Sequence, residues 1–166
     1  MKEKNQKKAN ILKVSWAAFF TKKAGLKGFM YNIEENVGFL LAKAYRRGFG
    51  IFRERLTPFG ITPPQFSLLA FLWMEDGLSQ AELCEKSHVD RATMVGLIDR
   101  LEKDGLVRRM PNAGDRRAYK VCLTDRGRAL EPELCGIAEE VTGLLTQKLK
   151  KSEVEYLKEL LNKVRK

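Results

Sequence analysis

The chain of 166 residues has one histidine, His88, and three cysteines, Cys84, Cys122 and Cys135. Each scarcity excludes something. No cysteine stands in a Cys-x-x-Cys pair or in a Cys/His pattern at zinc spacing, so neither a metal site nor any cofactor is expected. An odd number of cysteines argues against a disulfide framework and for a reducing compartment, the cytoplasm. There is no phosphate-binding glycine loop and no acid–base pair in evident context, so an enzyme is not expected. Internal repeats and low-complexity linkers are also missing. No apolar run approaches the roughly 18–20 residues of a membrane span. The basic-flanked run "ILKVSWAAFF" (residues 11–20) looks faintly like a signal peptide. It carries Lys13, however, and no small-residue cleavage site follows. No stable membrane association is expected.

Positive charge is plentiful, but it is unevenly placed. The formal net charge is +10, and the first 30 residues, with eight lysines and one glutamate, hold +7 of it. The high pI is therefore a poor argument for nucleic-acid binding, which has to rest on local placement.

Residues 31–56 read as a helix, with Ile33, Val37, Leu40, Leu41, Ala44, Ile51, Phe52 and Leu56 at mixed three- and four-residue spacing. "TPFGITPPQF" stops it. Thr62, Pro63 and Gln65 then form the start of a second helix, which ends at "EDG". Ser79 and Glu82 open a short helix over 79–86. After the turn "SHV", Asp90 caps a helix over 90–103, ended by Gly105 as a left-handed cap. Two short strands, about 106–110 and 118–123, flank the tip "PNAGDRR". Thr124 caps a long helix over 125–149, which Pro132 should bend or interrupt. Ser152 and Glu155 open the last helix. The fold class is mainly α with a small β-hairpin wing: a winged helix-turn-helix.

Wound at 100° per residue, the 90–103 helix puts Met94, Leu97, Ile98 and Leu101 on one stripe toward the core. The outward side has Ala92, Val95, Gly96, Asp99 and Lys103, with Thr93 and Arg100 on its flank. Gly96 in mid-helix costs about 1 kcal/mol relative to alanine. Against a groove floor that cost permits close backbone approach; the bland alternative is a tolerated surface glycine or a helix packed there. Thr93 can meet a base edge or phosphate, Val95 a thymine methyl, and Arg91 and Arg100 phosphate or guanine. On the hairpin, Tyr119, Val121 and Leu123 alternate with Lys120 and Cys122, so one face packs while the tip projects. A projecting Arg117 suits a narrow minor groove. Asp115 can hold and aim its guanidinium, and Arg116 adds charge beside it.

These stretches carry a resemblance. "GITPPQFSLLAFL", "LSQAELCEKSHVDRATMVGLIDRLEKDGLVRR" and "PNAGDRRAYKVCLTDRG" are similar to the MarR family of bacterial transcriptional regulators. The resemblance spans about residues 31–166 and is most specific at the D-x-R tip running into "LTDRG". It implies a homodimer on double-stranded DNA, with helices in 30–60 and 125–166 for dimerisation and a winged helix-turn-helix over 61–124. The recognition helix 90–103 would enter the major groove of a pseudo-palindrome and the wing 111–118 the minor groove. Arg117 resembles the family's minor-groove arginine and Asp115 its orienting partner. The resemblance also implies a ligand-responsive repressor, released by a small apolar or aromatic acid effector in a pocket beside the dimerisation helices. Tyr45, Arg46, Phe49 and Phe66 are its candidate lining residues. Cys84 reads as a core residue between the two helices and His88 as a surface turn residue. The family's oxidation sensors carry a cysteine near the start of the first helix, and this sequence has none there.

Residues 1–29 do not fit the family pattern, and two readings of them stand. "MYNIEENVGFLLAKAYRR" reads like a family start at Met30, which makes the tail an upstream extension. The rival is a basic amphipathic arm for DNA phosphate, a membrane surface or the dimer mate. A winged helix used as a protein-assembly module is the rival to the DNA-binding reading as a whole.

Overall fold

The computed structural model describes residues 31–112 and 115–164; at residues 112 and 115–118 the description is of the backbone only. Residues 1–30, and both readings of the tail, lie outside the described residues. The chain divides into two units after Leu40, and of the first only residues 31–40 are described. In the first, Asn32 caps a 3-10 turn, Ile33–Glu35, its side chain accepting from the Glu34 N–H at 3.1 Å. Asn36 turns extended and its side chain accepts from the Phe39 N–H at 3.1 Å. Asparagine side chains offer the backbone local partners that compete with helix. The helix expected from residue 31 therefore starts only at Val37: α1 is Val37–Leu56.

In the second unit, α2 (Pro63–Met74) starts as its sequence predicts. The Gln65 carboxamide oxygen accepts from the N–H and the hydroxyl of Thr62 at 2.9 and 2.8 Å. Then come β1 (Leu78–Ser79), α3 (Gln80–Ser87) and α4 (Arg91–Lys103). β2 (Val107–Asn112) and β3 (Asp115–Leu123) make an antiparallel hairpin with an irregularity between Pro111 and Asn112. α5 (Asp125–Ala129), α6 (Glu131–Thr146) and α7 (Lys151–Val164) complete it. Pro132 does interrupt the helix after Thr124, splitting it at Leu130 into α5 and α6. α7 departs from expectation in its cap. The Lys150 N–H donates to the Glu153 carboxylate at 2.7 Å, so that pair, and not Ser152 with Glu155, opens the helix.

β1 has no counterpart in the sequence reading. It pairs antiparallel with β3, Leu78 opposite Val121 and Ser79 opposite Lys120, giving a sheet of order β1-β3-β2. The hairpin is thus held against the start of α3. The core gathers behind it. Met94, Leu97, Ile98 and Leu101 are all buried, as the 3.6-residue period requires, among Leu56, Leu68, Leu72, Leu83, Val121 and Leu134. The Trp73 indole N–H donates to the Gly127 carbonyl at 3.0 Å, locking α5 onto α2.

One carboxylate fastens the base of the hairpin. Asp76 accepts from the Leu123 N–H at 2.8 Å, the Gly77 N–H at 2.9 Å and the Arg128 guanidinium at 2.6 Å. Arg128 also donates to the Leu123 carbonyl at 3.2 Å. Partial burial raises the pKa of Asp76, but the bonds from Arg128 and Leu123 outweigh it and hold the carboxyl below its ordinary value. A lowered carboxylate pKa stabilises the fold at pH above the unfolded value, about 4, and loses that contribution as pH falls through the folded value. Urea titrations should show the wild type losing stability below about pH 4 more steeply than Asp76→Asn. Equal slopes would mean that Asp76 makes no such contribution.

Candidate nucleic-acid interface and apolar cavity

α3 and α4 are set by their caps. The Ser79 N–H and hydroxyl each donate to Glu82 at 2.7 Å, which lowers the Glu82 pKa, the hydroxyl having the larger share. His88 ends α3 in the left-handed region at φ 55°, the backbone bend that turns the chain toward α4. Asp90 accepts from the Thr93 N–H at 3.0 Å and from the Thr93 hydroxyl at 2.7 Å, and these bonds, the backbone one first, lower its pKa. The Thr93 proton is therefore committed to the cap, which leaves the hydroxyl of this exposed residue as an acceptor.

The two caps present one face of α4 to solvent. Arg91, Ala92, Thr93, Val95 and Arg100 are exposed and Gly96 is half-buried, so the structure brings all six sequence-predicted residues of the helix onto that face. A Cβ added at Gly96 would meet nothing within 4 Å. Among the described residues no other helix packs there. Asp99 shares the face, and a lone carboxylate would repel phosphate. It does not stand alone: the Arg109 guanidinium on β2 pairs with both Asp99 and Glu102. Arg109 also lies over the Tyr119 ring, 4.9 Å from its centroid. Burial works against the Arg109 charge, but its hydrogen bonds to Tyr119, Asp99 and Glu102 outweigh that and raise its pKa. The Asp99 charge is thereby partly offset, Arg109 being shared with Glu102, while among the described residues neither Arg91 nor Arg100 has an ion-pair partner.

On β3, Tyr119 and Cys122 are half-buried, Val121 and Leu123 buried and Lys120 exposed, the expected alternation in its essentials. The side chains of Asp115, Arg116 and Arg117 lie outside the described residues. Their backbone does not: Asp115 opens β3 and pairs with Asn112. Among the cysteines, Cys84 is half-buried and packs against the core, as its sequence position predicts. The Cys135 thiol is pushed up by burial and by Glu131 and Glu139, away from the reactive thiolate.

Behind α4 lies an apolar cavity of about 1280 Å³, walled by α1, α2, α6 and α7. Tyr45, Phe49 and Phe66 line it. Arg46 does not, which corrects that assignment. At 100° per residue it sits on the far side of α1 from Ala44, Gly48 and Phe52, and its side chain turns back to the Ala42 carbonyl at 3.4 Å. Arg47 takes its place, and with Lys86 and Lys148 it forms an all-basic set of charged lining residues. Met94 and Leu97, from the inner side of α4, are also part of the wall. Sequence reasoning missed Asp76, Arg109 and Arg128, since each acts across the fold on a distant partner.

A tight helix pair, an exposed second helix and a hairpin stemming from its end define a winged helix-turn-helix protein. The family model for the MarR family matches residues 61–119. The transcriptional repressor NicR of Pseudomonas putida is 37% identical over 134 residues, which is 81% of this chain and 85% of the relative. The chain belongs to the MarR family. Among solved structures, BpsR of Bordetella bronchiseptica, whose DNA binding is regulated by 6-hydroxynicotinic acid, aligns with a TM-score of 0.77. It is 32% identical, over 82% of this chain and 97% of that one. A cysteine-to-serine mutant of MarR from E. coli, complexed with operator DNA, aligns with a TM-score of 0.75 and 29% identity, over 82% of this chain and 99% of that one.

Proposed function

We propose that this protein is a sequence-specific DNA-binding transcriptional regulator, a repressor that binds a pseudo-palindromic operator as a homodimer and lets go on binding a small aromatic acid. The observation that carries the reading is the exposed face of α4. Its side chains are small near Gly96, it is flanked by Arg91 and Arg100, and its carboxylate is paired with Arg109. α4 fits the major groove and the tip around Arg117 the adjacent minor groove. In support, a similar repressor and a similar protein on operator DNA are known.

A second copy is favoured by the apolar residues left exposed on α7: Tyr156, Leu160 and Val164. Tyr31, Ile33, Val37 and Leu40 of the first unit are exposed as well. Two copies would set two recognition helices about 34 Å apart, one turn of duplex. For the effector, the basic lining from Arg47 and Lys148, beside a Lys86 already paired with Glu75 at 3.1 Å, complements a carboxylate, and the aromatic wall complements a ring. Release of DNA then follows from the wall itself, because Met94 and Leu97 belong to the recognition helix.

The test is fluorescence anisotropy on duplexes from upstream of the protein's own gene, with wild type, Arg117→Ala and a scrambled duplex across a salt series. Expected are nanomolar affinity for one duplex at two protomers per site, a steep salt dependence and a loss of about 1–3 kcal/mol in the variant. 6-Hydroxynicotinate and benzoates added to the complex should release it, less readily in Arg47→Ala. Binding that is equal on scrambled DNA and indifferent to Arg117 would reject specific regulation. Indifference to every acid would reject only the effector.

A further inference from the structure

We infer that Tyr119 is a positioning residue that fixes the recognition helix relative to the wing, through Gln80 at one end of that helix and Arg109 at the other. The inference rests on the DNA-binding reading above. Tyr119 stands at the stem of the wing, midway between the tip and the core, and is half-buried. Its hydroxyl donates to the Gln80 side-chain oxygen at 2.6 Å. The Gln80 amide then donates to the Arg91 carbonyl at 3.3 Å, in the first turn of α4. On the other side, the Tyr119 ring supports the Arg109 guanidinium at 4.9 Å, and Arg109 pairs with Asp99 and Glu102 two and three turns further along α4. One side chain on β3 is thus tied to both ends of the helix that would read DNA.

The geometry has a purpose only if wing and helix must meet the duplex together. A rigid pair reads two grooves at a fixed separation, and it presents its charges without an ordering cost at the moment of binding. Core packing does not need the tie. Gln80 is no part of the hydrophobic cluster, and Tyr119 only packs against its edge. The polar tie is also local to this face, so deleting it removes no buried partner from the core.

Tyr119→Phe keeps the ring beneath Arg109 and deletes the hydroxyl, with its bond to Gln80 and its share in holding Arg109. A duplex selected from a random pool by the wild-type protein serves as probe, with a scrambled duplex as reference. The expected result is a three- to tenfold loss on the selected duplex, about the worth of one hydrogen bond, with no change on the scrambled one and an unchanged Tm. Gln80→Ala should lose an equal or smaller factor, and the double variant no more than Tyr119→Phe alone, because the bond that Gln80→Ala cuts is one that Tyr119→Phe already removes. An unchanged preference in Tyr119→Phe, or losses that multiply in the double variant, would overturn the inference while leaving the DNA-binding reading intact. Equal weakening on both duplexes with a Tm lowered by more than about 4 °C would overturn it too, since Tyr119 would then serve the fold alone. A wild type that selects no duplex sinks the DNA-binding reading, and this inference with it.

Discussion

Gly127→Ala is expected to destabilise the protein by about 3 kcal/mol or more, at the upper end for an overpacked site. The added Cβ would lie 2.1 Å from the Leu106 carbonyl oxygen and 3.1 Å from its carbon. Both are backbone atoms, so no rotamer change can clear them. The Leu106 carbonyl cannot retreat freely, because it accepts from the Thr124 N–H at 3.0 Å and the Thr124 hydroxyl at 3.2 Å. Nor can α5 lift away without loosening the bond from Trp73 to the Gly127 carbonyl. The chain needs glycine here for closeness of approach, not for an unusual backbone angle. Chemical denaturation of the variant checks this. A denaturation midpoint equal to that of the wild type would show that α5 and the start of the hairpin can part at little cost.

At Gly96 the expectation is the reverse split. Gly96→Leu should leave the fold intact or gain up to about 1 kcal/mol from helix propensity, since a Cβ there meets nothing within 4 Å among the described residues and the helix face around it is exposed. Its affinity for the selected duplex should fall by more than about tenfold, because a bulky branch would hold the helix off the groove floor. Thermal melts and anisotropy on the same samples separate the two effects. Full affinity in the variant would mean that this face never comes close to DNA. Taken together, the two glycines distinguish a packing constraint inside the protein from one imposed by a partner outside it.

α4 was legible from sequence because a strong signal repeats along it. Met94, Leu97, Ile98 and Leu101 recur at helical spacing, and Asp90 and Gly105 mark its ends; burial and capping follow. β1 was not legible. Two residues have no periodicity, and Leu78 and Ser79 are a strand only because β3 lies beside them. Asp76 likewise reads locally as the end of a helix, while its partner Arg128 lies 52 positions away. The error at Arg46 is one of phase. A helix turns 100° per residue, so a pattern of mixed spacing leaves a one-residue choice open, and here it is Arg47 that lines the cavity. In α1 the start was misjudged because Asn32 and Asn36 bind their own backbone, which apolar spacing does not report.

Met94 and Leu97 give α4 an inner side that is cavity wall and an outer side that is solvent-facing. Two ligands acting on opposite sides of one helix are thermodynamically linked, and linkage is reciprocal. A compound that weakens DNA binding twentyfold from inside must itself bind twenty times more weakly to the DNA-bound protein, which corresponds to a coupling of about 1.8 kcal/mol. Free protomers would therefore act as the more sensitive detector, and an occupied site would set a higher threshold. The concentration at which such a compound acts would then rise with the number and strength of the DNA sites, although the cavity itself is unchanged.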